Sequence, residues 1–278
     1  MPYRIDLFFG VGNMYLPQPT APSSLLYLVF GGRPFAVATM VAGIDIVSIP
    51  GFTEPFSSLS HLVGAGIFAI LGFFLLRRGR GNAARIAYLA VYSFACVLLL
   101  SMSGVYHLLA FGGQARAVLG RLDHGAIFVL IAGTFTPVHG ILFEGLWRLS
   151  VLLLIWALAI AGVTVATLFF ADLSEWHLLA FYLALGWLGL LSGIVLTRRY
   201  GFAFVKPAIW GGLAYTLGAL VDFFRWPVLI PGIFGSHELF HLAVLIGLAL
   251  HWKFIWHFAG GSVPSRFNDK GTIHRPHF

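Results

Sequence analysis

The stretch Ser236-His237-Glu238-Leu239-Phe240-His241 sets two histidines four residues apart at the mouth of the last long apolar run, Leu242 to Phe258. On a helix, positions i and i+4 share one face about a turn apart. That spacing lets two imidazoles grip one metal ion. The alternative is a pair of histidines that merely hydrogen-bond to neighbours. Within a membrane segment ionisable groups are expensive and tend to be functional, which favours the metal.

The composition says that these residues do lie in a membrane protein. The chain of 278 residues is 59% hydrophobic and only 10% charged, against about 25% charged for a soluble domain. A net charge of +7 would suggest nucleic acid in a soluble protein. Here the basic residues sit between apolar runs, where they set topology, so the expected partner is the lipid bilayer and not nucleic acid. Cys96 is the single cysteine, which excludes an intrachain disulfide and a thiolate zinc site.

Residues 1–50 contain Pro2, Pro17, Pro19, Pro22, Pro34 and Pro50, which break any long helix. They read as a poorly ordered N-terminal segment. Met40, just before coherent sequence begins, is an alternative start. Residues 51–260 form the expected domain, an all-α bundle of seven transmembrane helices, and 261–278 a polar C-terminal tail. The seven apolar runs lie near 57–76, 86–110, 122–143, 149–170, 177–197, 207–224 and 237–258, each long enough for a bilayer core of about 30 Å.

Starts of odd runs and ends of even runs share one membrane face. By that parity His61, Ser103 with His107, Asp123 with His124, and His237, Glu238 and His241 all collect on one side. The run boundaries were drawn without these residues, so their convergence independently supports a single site near that face. His139, His251 and His257 fall toward the other face and read as interfacial or structural.

With these residues located, the chain resembles the hemolysin III / progestin and adipoQ receptor family over about residues 54 to 258. The resemblance rests on Ser103-Gly-Val-Tyr-His107, on Asp123-His-Gly-Ala-Ile-Phe followed by Ala132-Gly-Thr-Phe-Thr-Pro137, and on Ser236-His237-Glu-Leu-Phe-His241. Gly211-Gly-Leu-Ala-Tyr-Thr-Leu-Gly218 also fits. It implies a seven-helix bundle with zinc held by His107, His237 and His241. It further implies an aspartate beside the reacting water, matched by Asp123, and a nearby serine, matched by Ser103. The family is similar to alkaline ceramidases, which implies hydrolysis of a lipid amide.

Three neutral imidazoles with one open position suit hydrolytic zinc. Asp123 would then move the proton, the alternative being a helix-start residue. Ser103, one turn before His107, would donate to an oxyanion or fix the imidazole, or else bond back to its own helix. Glu54 and His61 are read either as supports of the site or as interfacial groups, and His124 as structural. Three functions compete: a zinc-dependent lipid hydrolase, a non-catalytic zinc-stabilised receptor or regulator, and an intramembrane protease using His237-Glu238-Leu239-Phe240-His241 as H-E-x-x-H. By the same parity five basic residues, Arg4, Arg33, Arg116, Arg121 and Arg225, fall on the N-terminal side. The remaining Lys and Arg favour a cytoplasmic C-terminus and an outward-facing site in a plasma (inner) membrane. The resemblance to adiponectin receptors implies the reverse orientation.

Overall fold

The computed structural model describes residues 48–49 and 51–263, together with four short strands nearer the start. Two compact units divide the chain, Met1–Asp45 and Ile46–Phe278. In the first, β1 (Arg4–Ile5), β2 (Asn13–Tyr15), β3 (Tyr27–Phe30) and β4 (Arg33–Ala36) pair in chain order as an antiparallel sheet. Met14 stands opposite Leu28, and Leu28 opposite Phe35. The expectation of poor order between these strands lies outside the described residues, as does the polar tail beyond residue 263.

The second unit is helical: α1 (Pro55–Arg78), α2 (Ala83–Leu108), α3 (Gln114–Leu142), α4 (Gly145–Leu168), α5 (Glu175–Trp187), α6 (Gly189–Tyr200), α7 (Phe202–Phe223) and α8 (Ser236–Phe258). They make seven spans long and apolar enough to cross a membrane, with α5 and α6 joined end to end in the fifth. A helix satisfies its own backbone groups, which is why such runs take this form in lipid. Local chemistry sets the ends. Pro55 opens α1, where its missing N–H costs nothing. The Asn82 side chain accepts from the Arg85 N–H at 2.9 Å and caps α2.

Two boundaries differ from the reading of the sequence. The fifth run is broken at Leu188, between Gly186 and Gly189, a break that an apolar average does not register. The third begins at Gln114 rather than near 122. Arg116 and Arg121 read as loop charges, yet Arg116 is buried, with its guanidinium over the rings of Tyr106 and Phe111. With that charge accommodated, the helix extends further toward its N-terminus. Asp123 is therefore well inside α3, and its reading as a helix-start residue is overturned.

The spans pack chiefly as neighbours in sequence, α1 on α2, α2 on α3, α3 on α4 and α7 on α8, with α8 returning to α1. α3 is the most buried span and α4 the least. One core cluster runs from Phe68, Leu89, Tyr92 and Leu100 to Leu248, Ile255 and Phe258. A second joins Phe128, Phe135, Ile155 and Leu185.

Small residues allow a close crossing beside the candidate site, as they do between membrane helices generally. A Cβ added to Gly104 would lie 2.7 Å from Leu62 Cγ and 3.1 Å from the Leu62 backbone nitrogen. The Gly104 carbonyl also accepts from Ser58 Oγ at 2.8 Å. Gly104→Val is expected to force α1 from α2 and destabilise the bundle by about 1–3 kcal/mol. Thermal unfolding in detergent checks this; an unchanged midpoint would show that the crossing tolerates separation.

Candidate metal centre

The site begins with the end of α2. The last carbonyls of a helix have no partner within it, and here three neighbouring groups supply donors. Thr53 N–H and Oγ1 both donate to Leu108 O at 3.3 Å, and Glu54 N–H donates to His107 O at 3.1 Å. Arg116 Nη1 donates to Leu109 O at 2.5 Å and to Tyr106 O at 3.3 Å. The capping brings two side chains to His107. Its Nδ1 donates to Glu54 Oε2 at 2.8 Å, and Arg116 Nη2 donates to the same oxygen. Burial opposes ionisation of Glu54, but the hydrogen bonds and charges of His107 and Arg116 outweigh it and hold the carboxyl down at about 2.

A second carboxylate does the same for α8. Asp222, near the end of α7, accepts from His237 Nδ1 at 3.1 Å. With protons on Nδ1, the Nε2 atoms of His107 and His237 carry lone pairs. They face each other at 3.3 Å. His241 Nε2 lies 3.1 Å from His237 Nε2. The ligand atoms of all three histidines fall within 4.8 Å of one another.

Converging lone pairs repel unless a proton or a cation lies among them. Tetrahedral bonds of 2.0–2.1 Å place ligand nitrogens about 3.3 Å apart, close to the two spacings from His237, 3.3 Å to His107 and 3.1 Å to His241. Carboxylates behind ligating imidazoles are a regular feature of metal sites, because they fix the tautomer and raise ligand basicity. The three histidines could hold a metal ion, and the residues present fit one.

The remaining sequence candidates fall around this cluster. Ser103 is buried. Ser93 bonds back to Leu89 O at 2.9 Å, whereas Ser103 neighbours Asp123, which also lies near His107 and His237. Asp123 is not one of the clustered ligands. His61 is buried, stacks on His241 with ring centroids 3.9 Å apart, and leaves both ring nitrogens without a protein partner. His124 Nδ1 bonds to Gly120 O at 2.8 Å, a contact within its own helix. Glu238 accepts from the Gly235 N–H at 2.8 Å and from Ser57 Oγ at 3.1 Å, so its carboxylate caps α8 and ties it to α1. Away from the cluster, His139 pairs with Ser192 Oγ at 2.9 Å and His251 with Gly247 O at 2.9 Å.

Asp222 and Arg116 were missed in the sequence, and Glu54 was named without an assigned role. The available signal for Asp222 was an acid at the end of an otherwise apolar run, Leu220-Val221-Asp222-Phe223-Phe224, where an ionisable group calls for a partner.

The part of the chain that matches known proteins contains these residues. The profile of the haemolysin-III related family matches residues 51–252. The chain is similar to hemolysin-3 of Bacillus cereus, 30% identical over 70% of this chain and 86% of that protein. It is also similar to a hemolysin-3 homolog of Bacillus subtilis, at 28% over 69% and 88% of the two chains. The human monocyte to macrophage differentiation factor is 27% identical over 68% of this chain and 77% of its own.

Replacing His107, His237 or His241 singly with Ala is expected to remove most bound metal, whereas His251→Ala should not. Asp222→Asn should weaken metal binding by about 10–100-fold, the usual effect of losing a supporting carboxylate. Mass spectrometry of the purified variants measures both. Full occupancy in a triple-histidine variant would contradict the site.

Proposed function

The chain belongs to the haemolysin-III related family of multi-pass membrane proteins, and from its three convergent imidazoles we propose that it is a zinc-dependent hydrolase of a lipid amide. The observation that carries this reading is the placement of Asp123 against a cluster whose Nε2 atoms all converge. The amide follows from the similarity to alkaline ceramidases. Zinc is the metal that three histidines with tetrahedral spacing suit, and when bound it supplies a Lewis acid that lowers the pKa of water from 15.7 to about 7.

The chain's own groups then divide the remaining work. Glu54 and Asp222 hold the imidazoles of His107 and His237 in the ligating tautomer. Asp123 takes a proton from the attacking water at a carboxylate oxygen and delivers it to the leaving nitrogen. Ser103, a neighbour of Asp123 one turn before His107, donates to the developing oxyanion in the reaction. The basic residues beyond the opposite ends of the spans support an orientation with the C-terminus in the cytoplasm, and the membrane we propose is the plasma (inner) membrane.

A second reading, a metal staple in a membrane receptor or regulator, draws support from the same network. Through the three imidazoles and their carboxylates a metal would tie the segment before α1 to α2, α7 and α8. Against a closed staple, the side chains of His237 and Asp222 remain 37% and 36% exposed, leaving an approach to the site. The protease reading needs Glu238 as general base. The engagement of Glu238 with Gly235 and Ser57 supports a structural role instead.

Two substitutions separate these readings. Glu238→Gln should retain zinc and much of the turnover of a lipid amide. Asp123→Asn should retain zinc and lose turnover, by about 10²–10⁴-fold if proton transfer is its contribution. The reverse outcome would favour the protease. Undetectable turnover of a panel of lipid amides and esters by zinc-replete parent protein would favour the staple.

A further inference from the structure

The connection from α7 to α8 opens on Arg225, which donates to Glu175 Oε1 at 2.8 Å, and is apolar beyond it. From Trp226 to Gly235 it reads Trp-Pro-Val-Leu-Ile-Pro-Gly-Ile-Phe-Gly, without one charged or hydrogen-bonding side chain apart from the indole. The loop between α4 and α5 contains Asp172, and the one between α2 and α3 is followed at once by Arg116. Trp226 is 74% exposed, Leu229 57%, Ile230 53% and Ile233 52%. In water these side chains would form a contiguous apolar patch, which a soluble surface seldom tolerates.

The segment is nonetheless built. Leu229 N–H and Ile230 N–H both donate to Phe234 O, at 3.0 and 2.9 Å. Phe234 N–H donates back to Ile230 O at 2.8 Å, and Ile233 N–H to the same carbonyl at 3.0 Å. The result is a small hairpin in which four backbone N–H groups are paired internally through the Ile230 and Phe234 carbonyls; its other carbonyls need the hydrated headgroup level rather than the hydrocarbon core. Phe234 fastens it to α1 by an edge contact with Phe56, at 4.8 Å between ring centroids. Its outer apolar surface continues that of the flanking spans, where Leu217 on α7 and Ile246 on α8 are 62% and 55% exposed.

The hairpin also brackets the accessible side of the histidine cluster. Asp222 lies just before it and His237 just after it, each with about a third of its side chain exposed, whereas His107 and His241 are 3% and 2% exposed. We propose that residues 226–234 form a hairpin embedded in the lipid headgroup region, and that it sets the open side of the histidine cluster against lipid. The occupant is the bilayer itself, because both flanking helices cross it and Trp226 is the residue type that settles at its interface. The accessible edge of His237 and Asp222 then meets the carbonyl level of membrane lipids. This gives the proposed hydrolase its substrate from within the bilayer, and that last step alone rests on the hydrolase reading.

The test uses the full chain in phosphatidylcholine–phosphatidylglycerol nanodiscs and needs no turnover. A single environment-sensitive fluorophore is attached at Leu229→Cys, with the parent chain, whose Cys96 is buried, as the labelling blank. Lipids carrying a nitroxide near the headgroup should remove most of its emission, and aqueous iodide should remove little. A matching label at Asp172→Cys should respond chiefly to iodide. In a second arm, a phosphatidylcholine with a photoreactive diazirine beside its ester carbonyl should label the peptide containing His237. Leu229→Asp combined with Ile230→Asp should abolish that labelling while zinc content stays unchanged. Iodide quenching at position 229 would place the hairpin in water and overturn the proposal. Protection from both quenchers would mean that protein covers it, and would overturn it equally. Diazirine labelling that the double variant does not alter would overturn the access route. Absence of lipid-amide turnover would count against the hydrolase reading and leave these results as they stand.

Discussion

Ionisable groups near a bilayer survive only with partners, and the candidate site is organised by that constraint. Glu54 is held by His107 and Arg116, and Arg116 in turn caps the end of α2 and stacks on Tyr106 and Phe111. Asp222 is held by His237. Each carboxylate faces an Nδ1, so each turns an Nε2 inward. The convergence of lone pairs on one point is thus a consequence of how the surrounding charges are satisfied. His241 differs, since its Nδ1 has no protein hydrogen-bond partner and its ring is held instead by stacking on His61.

Most of the architecture was legible because it depends on local properties. Apolar run length marks a span whatever it packs against, and run order alone puts the end of α2 and the start of α8 on one face. That put His107, His237 and His241 on one face along with His61, Asp123 and His124, and the family resemblance singled out the three that the structure clusters. The carboxylate supports were not legible, because which acid meets which Nδ1 depends on the vertical register of neighbouring helices. Glu54 precedes α1, and Asp222 sits fifteen residues before His237 across a loop. The N-terminal part of α3 was read as loop for a related reason. Arg116 looks like an interfacial charge until the carbonyls of Tyr106 and Leu109 and the carboxylate of Glu54 are seen around it.

The same register bears on where Glu238 and Asp123 stand relative to the cluster. In H-E-x-x-H the glutamate is adjacent to a ligand in sequence, but on α8 its carboxylate reaches back to Gly235 and across to Ser57. Asp123 is remote in sequence, yet α3 is long enough at its N-terminal end to carry it inside the bundle beside Ser103. The α7–α8 hairpin adds a physical route to this constellation. A site that is closed by α1 and α2 and accessible at His237 and Asp222 suits a reactant that approaches along the membrane surface.

The central claim is that His107, His237 and His241 bind one metal ion through Nε2. X-ray absorption at the zinc K edge, on protein purified from membranes without added metal, tests it most directly. The account predicts one zinc per chain, with the outer-shell scattering of three imidazole rings bound at about 2.0–2.1 Å and one oxygen ligand. A metal-free protein, or zinc whose signal carries no imidazole scattering, would contradict it.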